Sequence, residues 1–188
     1  MPIDDVTLVR CCLRDDPQAV RELVERYQDL VFGLCLRLMN HRQDAEDVAQ
    51  EVFVRVFRSL GRWDANRPLR PWVLGIAVNR CRTHLAKRAK RPELANYLQD
   101  TAAAAPADDS TELSSEIERA LSGLRPDYRT VFVLFHDQGQ PYEAIAAVLG
   151  RPVGTIKTWL HRARLELLDS LRSRGMVDLL PDSPDVRG

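Results

Sequence analysis

The chain has 188 residues, of which 45% are hydrophobic and 29% are charged, and its formal net charge is zero. This length suits one ordinary domain or two small ones, and the composition is that of a soluble protein with packed cores. No apolar run approaches the ~20 residues that a membrane helix requires, so membrane insertion is not expected. Residues 1–14 lack the charged start and apolar centre of a signal peptide, which favours a cytoplasmic location.

The four cysteines indicate neither a secreted disulfide framework nor a metal site. They are Cys11, Cys12, Cys35 and Cys81, and no two of them have CxxC spacing. Cys81 and His84 are three residues apart and would share a helix face, but a zinc site usually needs four ligands and no second pair is present. We therefore expect no metal and no cofactor.

Apolar residues recur at intervals of three and four through the first ninety residues, which predicts amphipathic helices. A short helix around Leu8 precedes a longer one whose apolar face follows residues 19–38. A third helix is predicted from a cap at Gln43 or Asp44 to about Leu60.

Breaks in this pattern divide the chain into two domains. A loop is predicted over residues 61–71, and a fourth helix from about Pro71 to Arg91, because proline is tolerated in a first helical turn. Asp100–Ser110 has no bulky apolar residue, so residues 92–110 are predicted to be a flexible acidic linker. The predicted fold is therefore all-α: a first domain over 1–91, this linker, a second domain over 111–174 and a tail over 175–188.

The second domain is predicted to contain a helix-turn-helix. Its helices are predicted over residues 112–124, 126–137, 141–149 and 153 to about 174. Ala146 is small where the helices of the motif cross, and Gly150 permits the positive φ of a tight turn. Four apolar residues are expected to face inward and fix the crossing: Ile145, Leu149, Ile156 and Leu160.

The last helix presents polar and basic side chains near its N-terminal end, where a recognition helix meets DNA. These side chains are Thr155, Lys157, Thr158, Arg162 and Arg164. The cations suit phosphates, whereas the threonines and Arg162 suit base edges. Trp159 fits either the core or a thymine methyl group, and we favour the core.

Charge is segregated along the chain although the net charge is zero. Residues 52–91 contain eleven basic residues and one acidic residue, an excess of +10, whereas residues 4–51 carry −5 and residues 92–119 carry −6. A local excess of this size is the footprint of a surface that binds a polyanion. The sequence therefore predicts a nucleic-acid-binding surface between residues 52 and 91.

The basic segment combines cations with aromatic and amide side chains. Asn79 and Thr83 lie one helical turn apart within it, and Trp63 and Trp72 lie just upstream. Cations for the backbone, rings for stacking and an amide for a base edge are features of a single-stranded DNA site. Trp72 fits the hydrophobic core equally well, whereas Trp63 is in a polar loop and fits the core less well.

The third predicted helix carries an acidic stripe on the face opposite its apolar one. The acidic stripe is Asp47, Gln50, Glu51 and Val54, which follow at i, i+3, i+4 and i+7. Composition alone favours a solvated helix face, but because acidic groups repel DNA, a protein partner is the natural use of this stripe.

Three segments in this order resemble the extracytoplasmic-function sigma factors of bacterial RNA polymerase, and the similarity spans most of residues 5–173. Asp44–Phe57 resembles the family's region that docks on the beta-prime clamp helices of core RNA polymerase. Leu69–Cys81 is similar to the region that melts and reads the minus-ten promoter element. Val153–Arg164 is similar to the helix that reads the minus-thirty-five element.

The resemblance implies roles for individual residues. Core polymerase would be bound by Asp44, Asp47, Gln50, Glu51 and Val54. Asn79 would capture a flipped minus-ten base, and the other minus-ten contacts would come from Trp63, Arg70, Arg80, Arg82, Thr83, Lys87 and Arg88. The minus-thirty-five element would be contacted by Arg151, Thr155, Lys157, Thr158, Arg162 and Arg164.

The resemblance further implies a non-enzymatic sigma factor that directs core RNA polymerase to specific promoters in a stress or envelope response. Its partners would be core polymerase, promoter DNA and an anti-sigma factor, with no small-molecule substrate. The alternative is a free-standing helix-turn-helix regulator, which has no use for the acidic stripe. An enzyme is disfavoured, because no further histidine or carboxylate cluster accompanies the adjacent His136 and Asp137.

Overall fold

The computed structural model describes residues 3–89 and 112–175, which form two helical domains and contain no β-strand. The helices of the first domain are α1 (Asp5–Cys12), α2 (Pro17–Met39), α3 (Arg42–Ser59) and α4 (Leu69–Ala89), with a 3₁₀ turn at Leu60–Arg62. Those of the second domain are α5 (Glu112–Gly123), α6 (Pro126–His136), α7 (Tyr142–Leu149) and α8 (Val153–Ser173).

The all-α fold in two domains is confirmed, with the helix-turn-helix in the second. The linker predicted over residues 92–110 lies outside the described residues, as does most of the tail predicted over 175–188. No helix within the described ranges has the length and apolar character that crossing a membrane requires.

The start of α3 differs from the prediction. His41, rather than Gln43 or Asp44, precedes the first helical residue, and its Nδ1 accepts the backbone N–H of Asp44 at 3.2 Å. The prediction of the cap was wrong because an imidazole nitrogen replaces the usual side-chain oxygen. Asp44 lies in the first turn, where its negative charge favours the positive end of the helix dipole.

The segment before α4 is also more ordered than a simple loop. A 3₁₀ turn occupies Leu60–Arg62, and α4 begins at Leu69, two residues before the predicted start. Pro71 still lies in the first turn, where a backbone N–H has no partner within the helix. Residues 90 and 91, the predicted end of this helix, lie outside the described residues.

The core of the first domain lies between α2, α3 and α4, and α1 packs on α2. The buried residues follow the predicted periodicity and include Leu23, Val31, Leu34, Val48, Val52, Val56, Leu74 and Val78. Full burial of each such side chain contributes about 1.5–3 kcal/mol. Cys35 and Cys81 meet in this core with their Sγ atoms 3.7 Å apart. Their hydrogen bond and burial raise the pKa of the Cys81 thiol, which keeps it protonated.

Helices α7 and α8 form the predicted helix-turn-helix. Gly150 ends α7 with φ at +61°, and the N–H of Arg151 donates to the carbonyl oxygen of Ala146 at 3.1 Å. The four residues predicted to face inward are all buried: Ile145, Leu149, Ile156 and Leu160. Helix α5 packs on α8 and α6 packs on both α7 and α8, so the recognition helix has a rigid support.

The two domains touch through α2 and α4 on one side and α6 and α7 on the other. Arg129 of α6 donates to the carbonyl oxygen of Leu38 near the end of α2, at 3.3 Å. Helix α4 approaches α7 closely at Gly75, where an added Cβ would lie 3.7 Å from Cγ2 of Val148. An alanine methyl group at position 75 would therefore make an ordinary van der Waals contact with the second domain.

Candidate protein and nucleic-acid interfaces

A groove of about 550 Å³ lies between α3 and α4 and contains the whole acidic stripe. Its lining residues are Asp47, Gln50, Glu51 and Val54, together with Arg55, Arg58 and Arg80. We call it the α3–α4 groove. Arg55 and Arg58 were not among the predicted residues of this surface, although they follow Glu51 at i+4 and i+7 and the same helical periodicity places them beside it.

The α3–α4 groove has the mixed character of a protein-binding surface. Val54 is 51% exposed, and charges of both signs surround it. An exposed valine gains from burial against a partner, while the flanking charges select which partner fits. The groove can therefore take an amphipathic element that carries both basic and acidic side chains.

Asp44 lies apart from the rest of the residues predicted to contact a protein. Its carboxylate accepts a hydrogen bond from Arg88 at 2.8 Å and lies 3.6 Å from Nδ1 of His41. The Asp44 side chain is only 16% exposed. The ion pair ties the start of α3 to the end of α4, so Asp44 and Arg88 brace the two helices against each other.

Asn79, Thr83 and Lys87 form an exposed polar row along α4. The hydroxyl of Thr83 donates to the backbone carbonyl of Asn79 at 2.8 Å. An amide, a hydroxyl and an ammonium group at successive turns can meet a base edge and the adjoining phosphates. Asn79 and Thr83 thus lie one helical turn apart on the exposed side of α4, as their spacing predicted.

The two tryptophans are partly buried. Trp63 and Trp72 both pack against the core of the first domain, and Nε1 of Trp63 is buried without a hydrogen-bond partner in the described part of the chain. The 3₁₀ turn immediately before Trp63 returns the chain to the core, which the polar composition of the loop did not indicate. Both rings thus contribute to the packing of the first domain.

Two arginines predicted to contact minus-ten DNA are held by the second domain. The guanidinium of Arg70 donates to the carbonyl oxygen of Gln138 at 3.0 Å. Arg82 lies 3.5 Å from the carboxylate of Asp127. These cations are therefore committed to protein partners while the two domains are in contact.

The exposed face of α8 carries Lys157, Thr158 and Arg162, with Thr155 half-buried beside them. Arg162 donates to the hydroxyl of Tyr128 at 3.2 Å, and this hydrogen bond raises the pKa of Arg162, so the guanidinium stays charged. The arrangement presents hydroxyl and cationic groups on the side of the motif that faces away from the core.

Two further cations of the helix-turn-helix lie against aromatic rings. The guanidinium of Arg151 is 5.9 Å from the centroid of Trp159, which packs against the core as we favoured. Arg164 is half-buried and lies 5.5 Å from the ring of Phe135. Such cation–π contacts fix the direction of each guanidinium.

His136 takes part in this arrangement. Its Nε2 accepts a hydrogen bond from Nε of Arg164 at 3.3 Å. Burial, followed by the positive charge of Arg164, lowers the pKa of His136 from its ordinary value of 6.5. The carboxylate of the neighbouring Asp137 lies 3.3 Å from Nε of Arg37 in the first domain. The two side chains thus have separate structural partners.

Comparison with known proteins assigns both domains to described families. The family model for Sigma-70 region 2 matches residues 23–91, and that for Sigma-70, region 4 matches residues 114–167. The chain is 32% identical over 173 residues to the RNA polymerase sigma-H factor of Pseudomonas aeruginosa, covering 85% of this chain and 90% of that protein. It is 33% identical over 174 residues to the ECF RNA polymerase sigma factor SigW of Bacillus subtilis, covering 85% and 92%.

Solved structures show the same fold. CnrH in complex with the cytosolic domain of CnrY superposes with a TM-score of 0.66 at 27% identity, covering 90% of this chain and 97% of that one. The sigma factor RpoE in complex with the anti-sigma factor NepR from Bartonella quintana gives 0.69 at 23% identity, covering 81% and 96%. The two matched regions contain most of α2 with α3, α4 and the α3–α4 groove, and most of α5–α8 with the recognition helix.

Proposed function

Because the chain belongs to the extracytoplasmic-function sigma factors, it directs core RNA polymerase to promoters, and we propose that its two domains divide this task. In the proposal, the first domain (1–91) docks on the polymerase and reads the minus-ten element. The second domain (111–174) reads the minus-thirty-five element, and residues 92–110 join them. A stress or envelope response is the proposed setting.

The observation that carries the proposal is the α3–α4 groove. It contains the acidic stripe, including the exposed Val54, on the helix that resembles the family's polymerase-docking region. We propose that the beta-prime clamp helices of the polymerase occupy this groove. A free-standing regulator has no use for such a surface, and this supports the sigma-factor function over that alternative.

The proposed minus-ten surface is the exposed row on α4. Asn79 captures a flipped base, Thr83 lies beside it, and Lys87 meets a phosphate. The remaining proposed contacts are Trp63, Arg70, Arg80, Arg82 and Arg88. All four of these arginines contact protein groups in the structure, so each must exchange its partner before it contacts DNA.

The proposed minus-thirty-five surface is the exposed face of α8. Lys157 and Arg151 supply phosphate contacts, and Thr155, Thr158 and Arg162 meet base edges. Arg164 reaches the DNA only if it leaves His136 and Phe135. We expect it to contribute less than Lys157 does.

We propose an anti-sigma factor as the third partner. RpoE was solved with the anti-sigma factor NepR, and CnrH, which is similar to this chain over 90% of its length, was solved with the cytosolic domain of CnrY. We further propose that the protein acts in the cytoplasm beside the polymerase and has no enzymatic activity of its own.

Run-off transcription with purified core polymerase tests the division of labour. The wild type should give promoter-specific transcripts from a promoter library. Gln50→Ala/Glu51→Ala should abolish them together with binding to core polymerase, whereas Asn79→Ala should keep core binding and weaken or redirect transcription.

The control is Glu25→Ala/Gln28→Ala, which removes the same two residue types, here three residues apart, from the exposed face of α2. This control should transcribe like the wild type. A wild type that binds duplex DNA but neither binds core polymerase nor yields a transcript would identify a free-standing regulator instead.

A further inference from the structure

An ion pair joins the two proposed interfaces of the first domain. Glu51 lies in the α3–α4 groove, and its carboxylate is paired with the guanidinium of Arg80 on α4. Arg80 directly follows Asn79, the proposed base-capturing residue, and it lines the same groove as Gln50 and Val54. One side chain therefore belongs to both surfaces.

The structure holds Arg80 close to the protein. Its side chain is 32% exposed, and its Nε is buried without a hydrogen-bond partner among residues 3–89 and 112–175. Its Nη2 donates to the Glu51 carboxylate, which partly neutralises the charge of Arg80. In this position the guanidinium attracts a DNA phosphate less strongly than an unpaired arginine does.

Glu51, in contrast, is open to a partner. Its side chain is 50% exposed at the groove surface. Exposed ion pairs are weak, so a cationic side chain from a protein that docks in the groove can take the place of Arg80. The Asp44–Arg88 pair differs because Asp44 is 16% exposed and lies outside the groove.

We propose that the Glu51–Arg80 pair couples polymerase docking to DNA binding. Docking places a polymerase cation on Glu51, and Arg80 is released to contact the phosphate beside the base that Asn79 holds. The free protein thus keeps one phosphate contact out of use until the groove is occupied. This inference rests on the proposed roles of the groove and of α4.

The test measures how the free, full-length protein binds a fluorescein-labelled oligo-dT of about 12 nucleotides, a length within the range that single-strand grooves cover. Fluorescence anisotropy gives the affinity at several salt concentrations. Glu51→Gln should release Arg80, because the amide keeps the shape but loses the charge. The slope of log K against log salt should then steepen by about 0.7, the increment for one more phosphate contact to a single strand.

The matched control is Asp47→Asn, which removes the same charge from the same groove one turn away. Asp47 has no ion pair in the described part of the chain, so its loss frees no cation. The control should leave the slope at the wild-type value. The double variant Glu51→Gln/Arg80→Gln should return the slope to that value as well.

A second measurement uses the complex with core polymerase. Arg80→Gln should reduce the salt slope by about 0.7 in the complex and leave it unchanged in the free protein, because only docking brings Arg80 to a phosphate. Circular dichroism verifies that each variant is folded.

The coupling is overturned if Glu51→Gln and Asp47→Asn change the slope equally, because loss of negative charge then explains the effect. It is also overturned if Glu51→Gln has no effect on the slope. In either case a wild type that still supports promoter-specific transcription keeps its proposed function. If the wild-type protein gives no promoter-specific transcript, the proposed function itself is contradicted.

Discussion

His136 makes the second domain sensitive to acid. Its ring lies 4.5 Å from the ring of Phe132 and 5.0 Å from that of Phe135, and its Nε2 accepts a hydrogen bond from Arg164. Burial and the Arg164 charge lower its pKa below 6.5, so the folded domain favours the neutral ring. Below that pH the unfolded chain binds more protons than the folded one, and stability falls as the pH falls.

His136→Gln should remove this pH dependence. Glutamine keeps an acceptor for Arg164 but does not titrate. Between about pH 7.5 and about pH 5, the thermal midpoint of the wild type should therefore fall further than that of the variant. Differential scanning calorimetry of both proteins across this range measures the difference. If the thermal midpoints of the two proteins change equally with pH, His136 does not contribute to the acid sensitivity.

At the scale of single residues, the sequence did not predict which carboxylates pair with the arginines of α4. Arg80 and Arg88 were assigned to phosphates because they belong to a basic run. Their carboxylate partners lie 29 and 44 residues away, on α3. Periodicity indicates which face of a helix a residue occupies, but it does not indicate which residue of another helix lies opposite.

At the scale of the secondary-structure elements, the turn between α7 and α8 depends on the backbone conformation of Gly150. Its φ of +61° is unfavourable for alanine, so Gly150→Ala should destabilise the second domain by about 1–2 kcal/mol. The matched control is Gly154→Ala, in the first turn of α8, where an added Cβ meets nothing within 4 Å. It should stabilise by about 0.5–1 kcal/mol, because alanine suits a helix better than glycine.

Urea unfolding of the two alanine variants checks this prediction. The midpoint should fall for Gly150→Ala and rise for Gly154→Ala. Equal shifts in the two variants would mean that the backbone of the turn relaxes without cost.

The elements themselves were largely predictable from the sequence. The helices of both domains were expected because their apolar periods are long and their breaks contain glycine or proline. The errors are at ends: α3 uses a histidine cap, and a 3₁₀ turn leads Trp63 back to the core. Both depend on geometry within a single turn, which periodicity over many residues does not resolve.

At the scale of the whole molecule, exposed ion pairs contribute to the contact between the domains. Arg37 of α2 lies 3.3 Å from the carboxylates of both Glu118 and Asp137. Surface pairs of this kind are weak and are screened by salt. We therefore expect salt to weaken the ionic part of the contact, whereas buried residues of both domains also share one apolar cluster.

Reversing the charge of Arg37 should separate the domains. Arg37→Glu places three carboxylates together, so the radius of gyration measured by small-angle X-ray scattering should increase. Arg21→Glu is the control, because Arg21 is exposed on the same helix and has no ion pair within residues 3–89 and 112–175. An unchanged radius for Arg37→Glu would show that apolar packing between α4 and α7 is sufficient.

The contact between the domains also bears on promoter affinity. In the proposed function the two domains read elements about 25 base pairs apart, which are separated by roughly 85 Å along the duplex, more than a compact chain of this length spans. Only molecules whose domains have parted are then competent for both elements, and the apparent dissociation constant is the intrinsic one divided by that competent fraction. Arg37 is not a proposed DNA contact, yet a substitution there that separates the domains should enlarge the competent fraction. Promoter binding should then tighten by the same factor.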